Sequence, residues 1–251
     1  MTQQTLTRLR NLKLTGMADA VQQQLEYAST YEGLPFIERL SLLVEHEQLS
    51  REQRKQTRLV KQARLKLQAT VQELDYQSAR NLERSQVATR AQGEWLRRGQ
   101  NLLITGPCGC GKTYLACALG YQACQQGHST RYYRLPRLLL ELSQAKVDGS
   151  YARLLGQLAR IELLILDDWG LEAVNAEQRN ALLEIMDDLY GKYSTVVVSQ
   201  LPTEEWYASL GDNTLADAIL DRLMHNAHRL SLKGESMRKR RSELTQSEHS
   251  S

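Results

Sequence analysis

The spacing of apolar residues changes near residue 100, and the stretch before it has a helical pattern. Apolar residues recur there every three or four positions, which is the spacing of a helix with one buried face. Gly16 interrupts this pattern, and Pro35 is typical of the first turn of a third helix that should continue towards Leu67. The pattern therefore predicts a small all-helical domain over residues 1–70. Its first two helices carry Leu6, Leu9, Leu12, Leu14, Met17, Val21 and Leu25.

After residue 100, short apolar runs alternate with helical stretches. Strands are predicted at 102–105, 131–133, 163–166, 195–199 and 229–232. Helices are predicted between them, at 112–126, 135–146, 151–160, 176–190 and 214–228. Strands that alternate with helices need crossover connections, which produce a parallel sheet with helices on both faces. The pattern therefore predicts an α/β domain over residues 71–240 with a five-stranded parallel sheet, followed by a flexible tail at 241–251.

The composition is that of an ordinary globular protein. Of the 251 residues, 41% are apolar and 24% are charged, and these values exclude wholesale disorder. Lys and Arg total 32 against 29 for Asp and Glu, far from the excess of a histone-like binder. No stretch is apolar enough to span a bilayer, and the start of the chain lacks the apolar core of a signal peptide. The four cysteines, all within 108–124, are expected to be buried free thiols, which favours the cytoplasm.

The strongest chemical signal is a glycine-rich run that follows a predicted strand and begins a predicted helix. Residues 106–113 read Gly-Pro-Cys-Gly-Cys-Gly-Lys-Thr and match the phosphate-binding pattern G-x-x-x-x-G-K-[ST] at every fixed position. Such glycines let backbone N–H groups surround phosphate oxygens, and the helix N-terminus adds partial positive charge. Lys112 should reach the β- and γ-phosphates, while the Thr113 hydroxyl should bind Mg²⁺. The candidate nucleotide ligands are Gly106, Pro107, Cys108, Gly109, Cys110, Gly111, Lys112 and Thr113.

Two carboxylates end a strand that has no polar alternation. Asp167 and Asp168 come directly after the Leu-Leu-Ile-Leu run at 163–166. In a parallel sheet, this end of the strand lies at the same edge as the phosphate loop. We expect Asp167 to hold Mg²⁺ through its water shell and Asp168 to act as the base for an attacking water. This pairing favours hydrolysis of a nucleoside triphosphate over phosphate transfer to a small acceptor.

Gln200 is a further candidate, with a weaker signal. It follows the predicted strand at 195–199 and could orient the attacking water or sense the γ-phosphate. Ser199 could take this role instead. The strand could equally run into the turn at Leu201 and Pro202 without any chemical role.

A basic run begins within the third predicted helix. Residues 51–66 contain seven basic residues against a single acid, Glu52. Five of the basic residues step every three or four positions and so line one side of a helix. With nothing acidic to offset them, they form either a solvated helix face or a stripe that binds duplex phosphates or an acidic partner. The stripe consists of Arg51, Arg54, Lys55, Arg58 and Lys61.

The motifs and their order resemble the IstB-like ATPases, which are transposition helper proteins of bacterial insertion sequences. The resemblance rests on the phosphate loop, Leu-Ile-Leu-Asp-Asp-Trp-Gly at 164–170, Val-Ser-Gln-Leu-Pro at 198–202, Ala-Asp-Ala-Ile-Leu-Asp-Arg-Leu at 216–223 and Lys-Gly-Glu-Ser-Met-Arg-Lys at 233–239. It covers residues 75–240 closely, and the leucine-rich helices before them also resemble the family. IstB-like proteins are similar to DnaC-type helicase loaders and belong to the AAA+ class of P-loop NTPases.

The resemblance implies a mode of action and further site residues. It implies that ATP and Mg²⁺ bind between subunits of a homo-oligomer on duplex DNA, and that this oligomer directs a partner transposase. It identifies Arg222 as an arginine finger that acts on the nucleotide of a neighbouring subunit. It also identifies Arg238 as a sensor arginine and Gln200 as the first sensor. From related initiator ATPases, it suggests Lys146 and Arg153 as DNA contacts.

Two alternatives stand beside this hypothesis. A helicase loader of the DnaC type would bind a helicase and prefer single strands. A small-molecule P-loop kinase would need an acceptor pocket and an arginine-rich lid, and the sequence indicates neither. Asp168 stands where AAA+ proteins tend to carry Glu, and its shorter side chain predicts slow hydrolysis until DNA or a partner reshapes the site.

Overall fold

The computed structural model describes residues 2–76, 80–211, 213–234 and 237. The chain divides into two compact units, residues 1–58 and 59–251. The sequence predicts this division at residue 70, which lies inside the second unit. Among the described residues, no helix combines the length and the apolar character that crossing a membrane requires.

The first unit consists of helices. They are α1 (Thr2–Asn11), α2 (Thr15–Glu26), α3 (Ala28–Tyr31) and the beginning of α4 (Phe36–Ala63). The expectation that Gly16 interrupts a helix is wrong, because the chain turns earlier, at Lys13, whose φ is 60°. Gly16 lies inside α2, and a Cβ there would be 2.6 Å from the Cβ of Ser50. This glycine therefore allows α2 and α4 to pack closely.

The long helix α4 ends earlier than the apolar pattern predicts. The pattern extends towards Leu67, but Arg64 has a φ of 51°, which lies outside the range of a right-handed helix. Leu59 and Ala63, in the last turns of α4, pack against the buried Cys124. This contact keeps the end of α4 within the second unit.

The second unit alternates strands and helices, as predicted. Two short helices come first, α5 (Arg84–Ala91) and α6 (Glu94–Arg97). The strands are β1 (Asn101–Thr105), β2 (Thr130–Arg134), β3 (Leu163–Trp169), β4 (Ser194–Ser199) and β5 (Ala227–Ser231). The helices between them are α7 (Lys112–Gln125), α8 (Leu135–Val147), α9 (Tyr151–Leu158), α10 (Ala176–Leu189), α11 (Trp206–Leu210) and α12 (Asn213–Met224), with a short 3₁₀ turn at Thr203–Glu205.

The five strands form one parallel sheet in the order β2-β3-β4-β1-β5, which confirms the predicted fold class. The last helix and strand differ from their predicted bounds. The helix predicted to reach residue 228 ends at Met224, and the strand predicted at 229 begins at Ala227. Ala227 pairs with Asn101 of β1, so the backbone hydrogen bonds of the sheet override the helical pattern.

Helices cover the sheet on both faces. On one face, Ile104, Ile165 and Val198 pack with residues of α7. On the other face, Leu103 and Leu166 pack with residues of α8, α10 and α12. The central strands are therefore buried on both sides, which explains why the run at 163–166 shows no polar alternation.

Candidate nucleotide-binding and catalytic site

The phosphate loop joins β1 to α7 and requires its glycines. Gly106, Gly109 and Gly111 have φ values of 144°, 81° and 95°, which side chains rarely allow. A Cβ on Gly106 would lie 2.3 Å from the carbonyl oxygen of Leu232, which is backbone and cannot give way. The backbone conformation is therefore one that leaves room for phosphate oxygens against the N-terminus of α7.

Lys112 is the first residue of α7 and is largely buried, with 7% of its surface exposed. Its Nζ donates hydrogen bonds of 2.7 Å to the carbonyl oxygens of Gly106 and Pro107. The ammonium group is thus held over the loop by two neutral acceptors. Phosphate oxygens are stronger acceptors for it, because they carry full negative charge.

The cysteines of the loop differ in their surroundings. Cys110 is buried, and its Sγ would lie 3.2 Å from a Cβ on Gly106. Cys108 is exposed beside Pro107 at the outer turn of the loop, so the expectation that it is buried is wrong. Cys117 and Cys124 are buried, and all four thiols are free.

Thr113 and Asp167 are in contact, as the proposed magnesium site requires. The Thr113 hydroxyl donates a hydrogen bond of 2.9 Å to Oδ2 of Asp167, which is almost fully buried. The Tyr132 hydroxyl donates to the same oxygen at 2.6 Å, and Nζ of Lys66 lies 3.8 Å from it. A hydroxyl and a carboxylate are oxygen ligands of the kind that Mg²⁺ prefers, so these residues fit the ion.

Tyr132 remains a neutral donor in this cluster. Burial and the hydrogen bond to Asp167 both raise the pKa of the Tyr132 hydroxyl above its ordinary value. The other carboxylate oxygen of Asp167 accepts the backbone N–H of Asp168 at 2.9 Å. Both oxygens of Asp167 therefore have fixed partners, and its orientation toward Thr113 is set.

Asp168 is held by an arginine from the neighbouring strand. Arg134, at the end of β2, brings its Nε to 2.5 Å from Oδ2 of Asp168. This hydrogen bond raises the pKa of the Arg134 guanidinium, which therefore stays charged. Asp168 has a φ of 62°, a left-handed conformation that Asp tolerates better than most residues. The candidate base is thus present at the site, but its charge is paired.

Gln200 lies directly after β4, between the ends of β3 and β1. Its side chain is exposed at the sheet edge that carries the phosphate loop and the two aspartates. The buried Ser199 has a structural role instead. Its hydroxyl donates to the carbonyl oxygen of Trp169 at 2.8 Å and accepts the N–H of Leu201 at 3.0 Å. Of the two candidates for sensing the γ-phosphate, Gln200 is the one that is available.

Arg222 lies near the amino ends of the strands, opposite the ends that carry the phosphate loop. Its carbonyl oxygen accepts a hydrogen bond of 3.0 Å from the side chain of Asn101, the first residue of β1, whereas the phosphate loop follows the last residue. The Arg222 side chain pairs with Asp187 of α10 and is 29% exposed. It therefore cannot reach the phosphate loop of its own chain. Arg238 lies outside the described residues.

The basic stripe on α4 is less free than its sequence predicts. Glu47, one turn before the stripe, accepts a hydrogen bond of 2.6 Å from Arg51 and lies 3.5 Å from Arg54. Burial alone would raise the pKa of Glu47, but the hydrogen bond from Arg51 and the Met17 N–H lower it overall. The expectation that nothing acidic offsets the stripe is therefore wrong for two of its members.

The other proposed DNA contacts are mostly exposed. Lys55, Arg58 and Lys61 are exposed on α4, and Arg153 is exposed on α9. Lys146 is engaged within the protein, because its Nζ lies 3.3 Å from a carboxylate oxygen of Glu177 and 4.8 Å from the centre of the Tyr151 ring.

Four residues of the site have no motif of their own: Lys66, Arg80, Tyr132 and Arg134. Tyr132 and Arg134 reach the site because β2 pairs with β3. In the sequence, Tyr132 lies inside the strand predicted at 131–133 and Arg134 directly follows it. In the sequence, Lys66 is only one member of the basic run, although in the structure it lies beside Asp167. Arg80 lines a pocket of about 370 Å³ next to the phosphate loop, where the sequence shows no pattern.

Relatives match most of the chain. The family profile described as IstB-like ATP binding protein matches residues 7–245. A Sinorhizobium fredii protein named as an insertion sequence ATP-binding protein is 46% identical over 235 residues, which are 94% of this chain and 96% of that protein. A Pseudomonas fluorescens protein named as an ATP-binding protein of insertion sequence IS1162 is 48% identical over 204 residues, 81% of this chain and 88% of its own.

Two solved structures share the fold. The DnaC helicase loader superposes with a TM-score of 0.57 at 19% identity, over 66% of this chain and 97% of its own. The replication initiator DnaA, bound to AMPPCP and single-stranded DNA, superposes with a TM-score of 0.58 at 16% identity, over 68% of this chain and 52% of the DnaA chain. At these identities the likeness establishes the fold alone.

Proposed function

Because the chain belongs to the family of IstB-like ATP-binding proteins, we propose that it hydrolyses ATP to ADP and phosphate with the help of Mg²⁺. We further propose that ATP drives its assembly into a homo-oligomer on duplex DNA, in the cytoplasm, where it directs a partner transposase. The names of its relatives support this proposal, since they are ATP-binding proteins of insertion sequences.

The observation that carries the proposal is the convergence of four residues at one sheet edge. Lys112, Thr113, Asp167 and Asp168 come from the start of α7 and the end of β3, and Thr113 touches Asp167 directly. Lys112 would bind the β- and γ-phosphates, while Thr113 and Asp167 would hold Mg²⁺. When bound, the metal ion would offset the negative charge that develops on the phosphates.

We propose the following hydrolytic step for these residues. A water oxygen attacks the γ-phosphorus, the bond to the bridging oxygen of ADP breaks, and Asp168 takes the proton of the water. Gln200 would orient this water, or sense the γ-phosphate, from the end of β4. Arg238 would contact the nucleotide. The pairing of Asp168 with Arg134 supports slow hydrolysis by the isolated protein.

The position of Arg222 supports a site shared between subunits. Arg222 lies near the amino ends of the strands, remote from its own phosphate loop, and its side chain is partly exposed. In a head-to-tail assembly, this side of one subunit can face the phosphate loop of the next. Arg222 would then stabilise the charge on the neighbour's γ-phosphate, as arginine fingers do.

We propose that the exposed cations bind the DNA backbone. Lys55, Arg58 and Lys61 are exposed members of the stripe, and Arg153 is exposed on α9. Arg51, Arg54 and Lys146 would contribute only if phosphates displaced Glu47 and Glu177. Backbone binding of this kind is largely independent of sequence and weakens steeply with salt.

Sedimentation of the full chain with a random-sequence duplex tests the proposal. We expect large complexes that need ATP, duplex and Lys112, so that Lys112→Ala gives none. A protein that stays monomeric on duplex but binds single strands or a helicase would instead be a helicase loader. Release of free phosphate, measured in the same samples, distinguishes an ATPase from a kinase that transfers the phosphate to an acceptor.

A further inference from the structure

Arg80 is a buried cation beside the phosphate loop that the proposed chemistry does not use. Only 5% of its surface is exposed. One terminal nitrogen, Nη1, donates a hydrogen bond of 3.4 Å to the carbonyl oxygen of Cys110, and the other donates to the carbonyl oxygen of Asp75. The third nitrogen, Nε, is buried and has no hydrogen-bond partner among the described residues.

A buried arginine in this state indicates a missing anion. Burying a charged group is unfavourable unless that group is paired, and buried N–H donors nearly always have an acceptor. Arg80 lines the same pocket as Gly109, Lys112 and Thr113. A Cβ on Gly111 would lie 2.7 Å from Nη1 of Arg80, so the glycine also makes room for the guanidinium against the loop backbone.

The position of Arg80 along the loop indicates which part of a nucleotide it would meet. Lys112 bonds to Gly106 and Pro107 at the beginning of the loop, where the β- and γ-phosphates are expected. Arg80 lies at the other end, against Cys110 and Gly111. The same pocket is also lined by the apolar side chains of Leu67, Leu74 and Met237, which suit a purine base.

We propose that Arg80 binds the α-phosphate of the nucleotide, between the triphosphate site at Lys112 and the base pocket. Its planar fork can donate to two phosphate oxygens at once, which a lysine cannot do. This inference rests on the proposed binding of ATP at the loop, and it adds a residue that holds ATP and ADP equally. Arg80 would therefore raise the affinity for ATP and for ADP to the same extent, whereas Lys112 also distinguishes ATP from ADP through the γ-phosphate.

The test is a titration of the full chain with fluorescent ATP and ADP analogues, in competition with unlabelled AMP and adenosine. We expect Arg80→Ala to weaken ATP, ADP and AMP by a similar factor of about ten- to a hundredfold. Adenosine has no phosphate, so its affinity should change little. Arg80→Lys should give an intermediate loss, because it keeps the charge and loses the fork.

Arg84→Ala is the matched control, because it removes an exposed arginine of the same segment that stacks on Tyr76 and does not line this pocket. Its affinities should equal those of the wild type. Thermal unfolding without nucleotide separates binding from a role in folding. If Arg80 only clamps the carbonyls of Asp75 and Cys110, the variants unfold at lower temperature and keep the wild-type affinity, which would overturn the inference.

An equal loss for AMP and adenosine would also overturn it. The inference and the proposed function fail in different ways. If the wild-type protein binds neither ATP nor ADP, the proposed function is wrong. If the wild type binds both and folded Arg80→Lys and Arg80→Ala bind them equally well, only the role of Arg80 is wrong.

Discussion

Arg134 neutralises Asp168, the carboxylate that we propose as the base for the attacking water. Its Nε lies 2.5 Å from Oδ2 of Asp168, and it reaches that oxygen from the end of β2, an edge strand of the sheet. The Arg134 side chain is 52% exposed, whereas that of Asp168 is 17% exposed. Because the arginine is the accessible partner, an approaching acidic group could draw it away and free the base.

Removing this arginine should accelerate hydrolysis by the isolated protein. A partly exposed ion pair is worth about 1 kcal/mol, which corresponds to roughly fivefold in rate, so we expect Arg134→Ala to raise the basal rate by about that factor. Phosphate release without DNA measures it. Arg131→Ala is the control, because Arg131 lies on the same strand and bonds to Gln62 instead. A rate at or below that of the wild type would contradict the prediction.

Asp168→Asn should separate ATP binding from hydrolysis. Asn has the shape of Asp and tolerates the left-handed backbone at this position, where φ is 62°. It cannot accept the proton of the attacking water, so we expect the maximal rate to fall by about a hundredfold or more. The dissociation constant for ATP, measured by titration, should stay within a few-fold of the wild type. An unchanged rate would show that another group is the base.

Mixing two inactive variants should restore hydrolysis. Arg222→Ala lacks the proposed arginine finger, and Asp168→Asn lacks the base, so each should be inactive alone. In a mixed oligomer, some junctions combine an intact Arg222 from one subunit with an intact Asp168 from its neighbour. We expect phosphate release from the mixture with ATP and duplex DNA to exceed the sum of the separate rates. No recovery from mixtures that do assemble would mean that Arg222 does not act across subunits.

The two parts of the basic stripe should differ in their contribution to DNA affinity. Replacing Lys55, Arg58 and Lys61 with Ala removes exposed cations, whereas Arg51 and Arg54 are already paired with Glu47. Each lost phosphate contact should lower the slope of log affinity against log salt by about 0.9. Titrating a labelled duplex at several salt concentrations measures this slope. The slope should fall more in the triple variant than in the double variant Arg51→Ala with Arg54→Ala. A larger fall in the double variant would contradict the assignment.

The sequence predicts those parts of the site that one segment contains. The loop residues, Lys112 and Thr113 follow from a motif of fixed spacing, and Asp167 and Asp168 follow from a buried strand that ends in carboxylates. The five strands are also predictable, because each is a short run between turns, and those of β1, β3 and β4 are strongly apolar. Two of them differ from their predicted bounds by more than one residue: β3 continues to Trp169 and so includes Asp167 and Asp168, and β5 begins earlier, where the sheet hydrogen bonds of Ala227 outweigh the helical pattern.

The remaining features depend on which segments become neighbours. Arg134 meets Asp168 because β2 pairs with β3, and the alternation of strands and helices does not determine that order. Glu47 offsets part of the basic stripe, but it lies outside residues 51–66, over which the sequence analysis counts charges. Gly16 looks like a helix break in the sequence, but it is a packing contact that the closeness of Ser50, Glu47 and His46 on α4 explains.

The differing burial of the thiols makes the phosphate loop chemically distinguishable from the rest of the chain. Burial raises the pKa of the Cys117 and Cys124 thiols, so both stay protonated and unreactive at neutral pH. Cys110 is buried as well, which leaves Cys108 as the single cysteine of four that a thiol reagent can reach. An alkylating dye would therefore label the loop alone, in the native protein and without engineering. A labelling rate that falls when ATP is added would show that bound nucleotide covers this thiol.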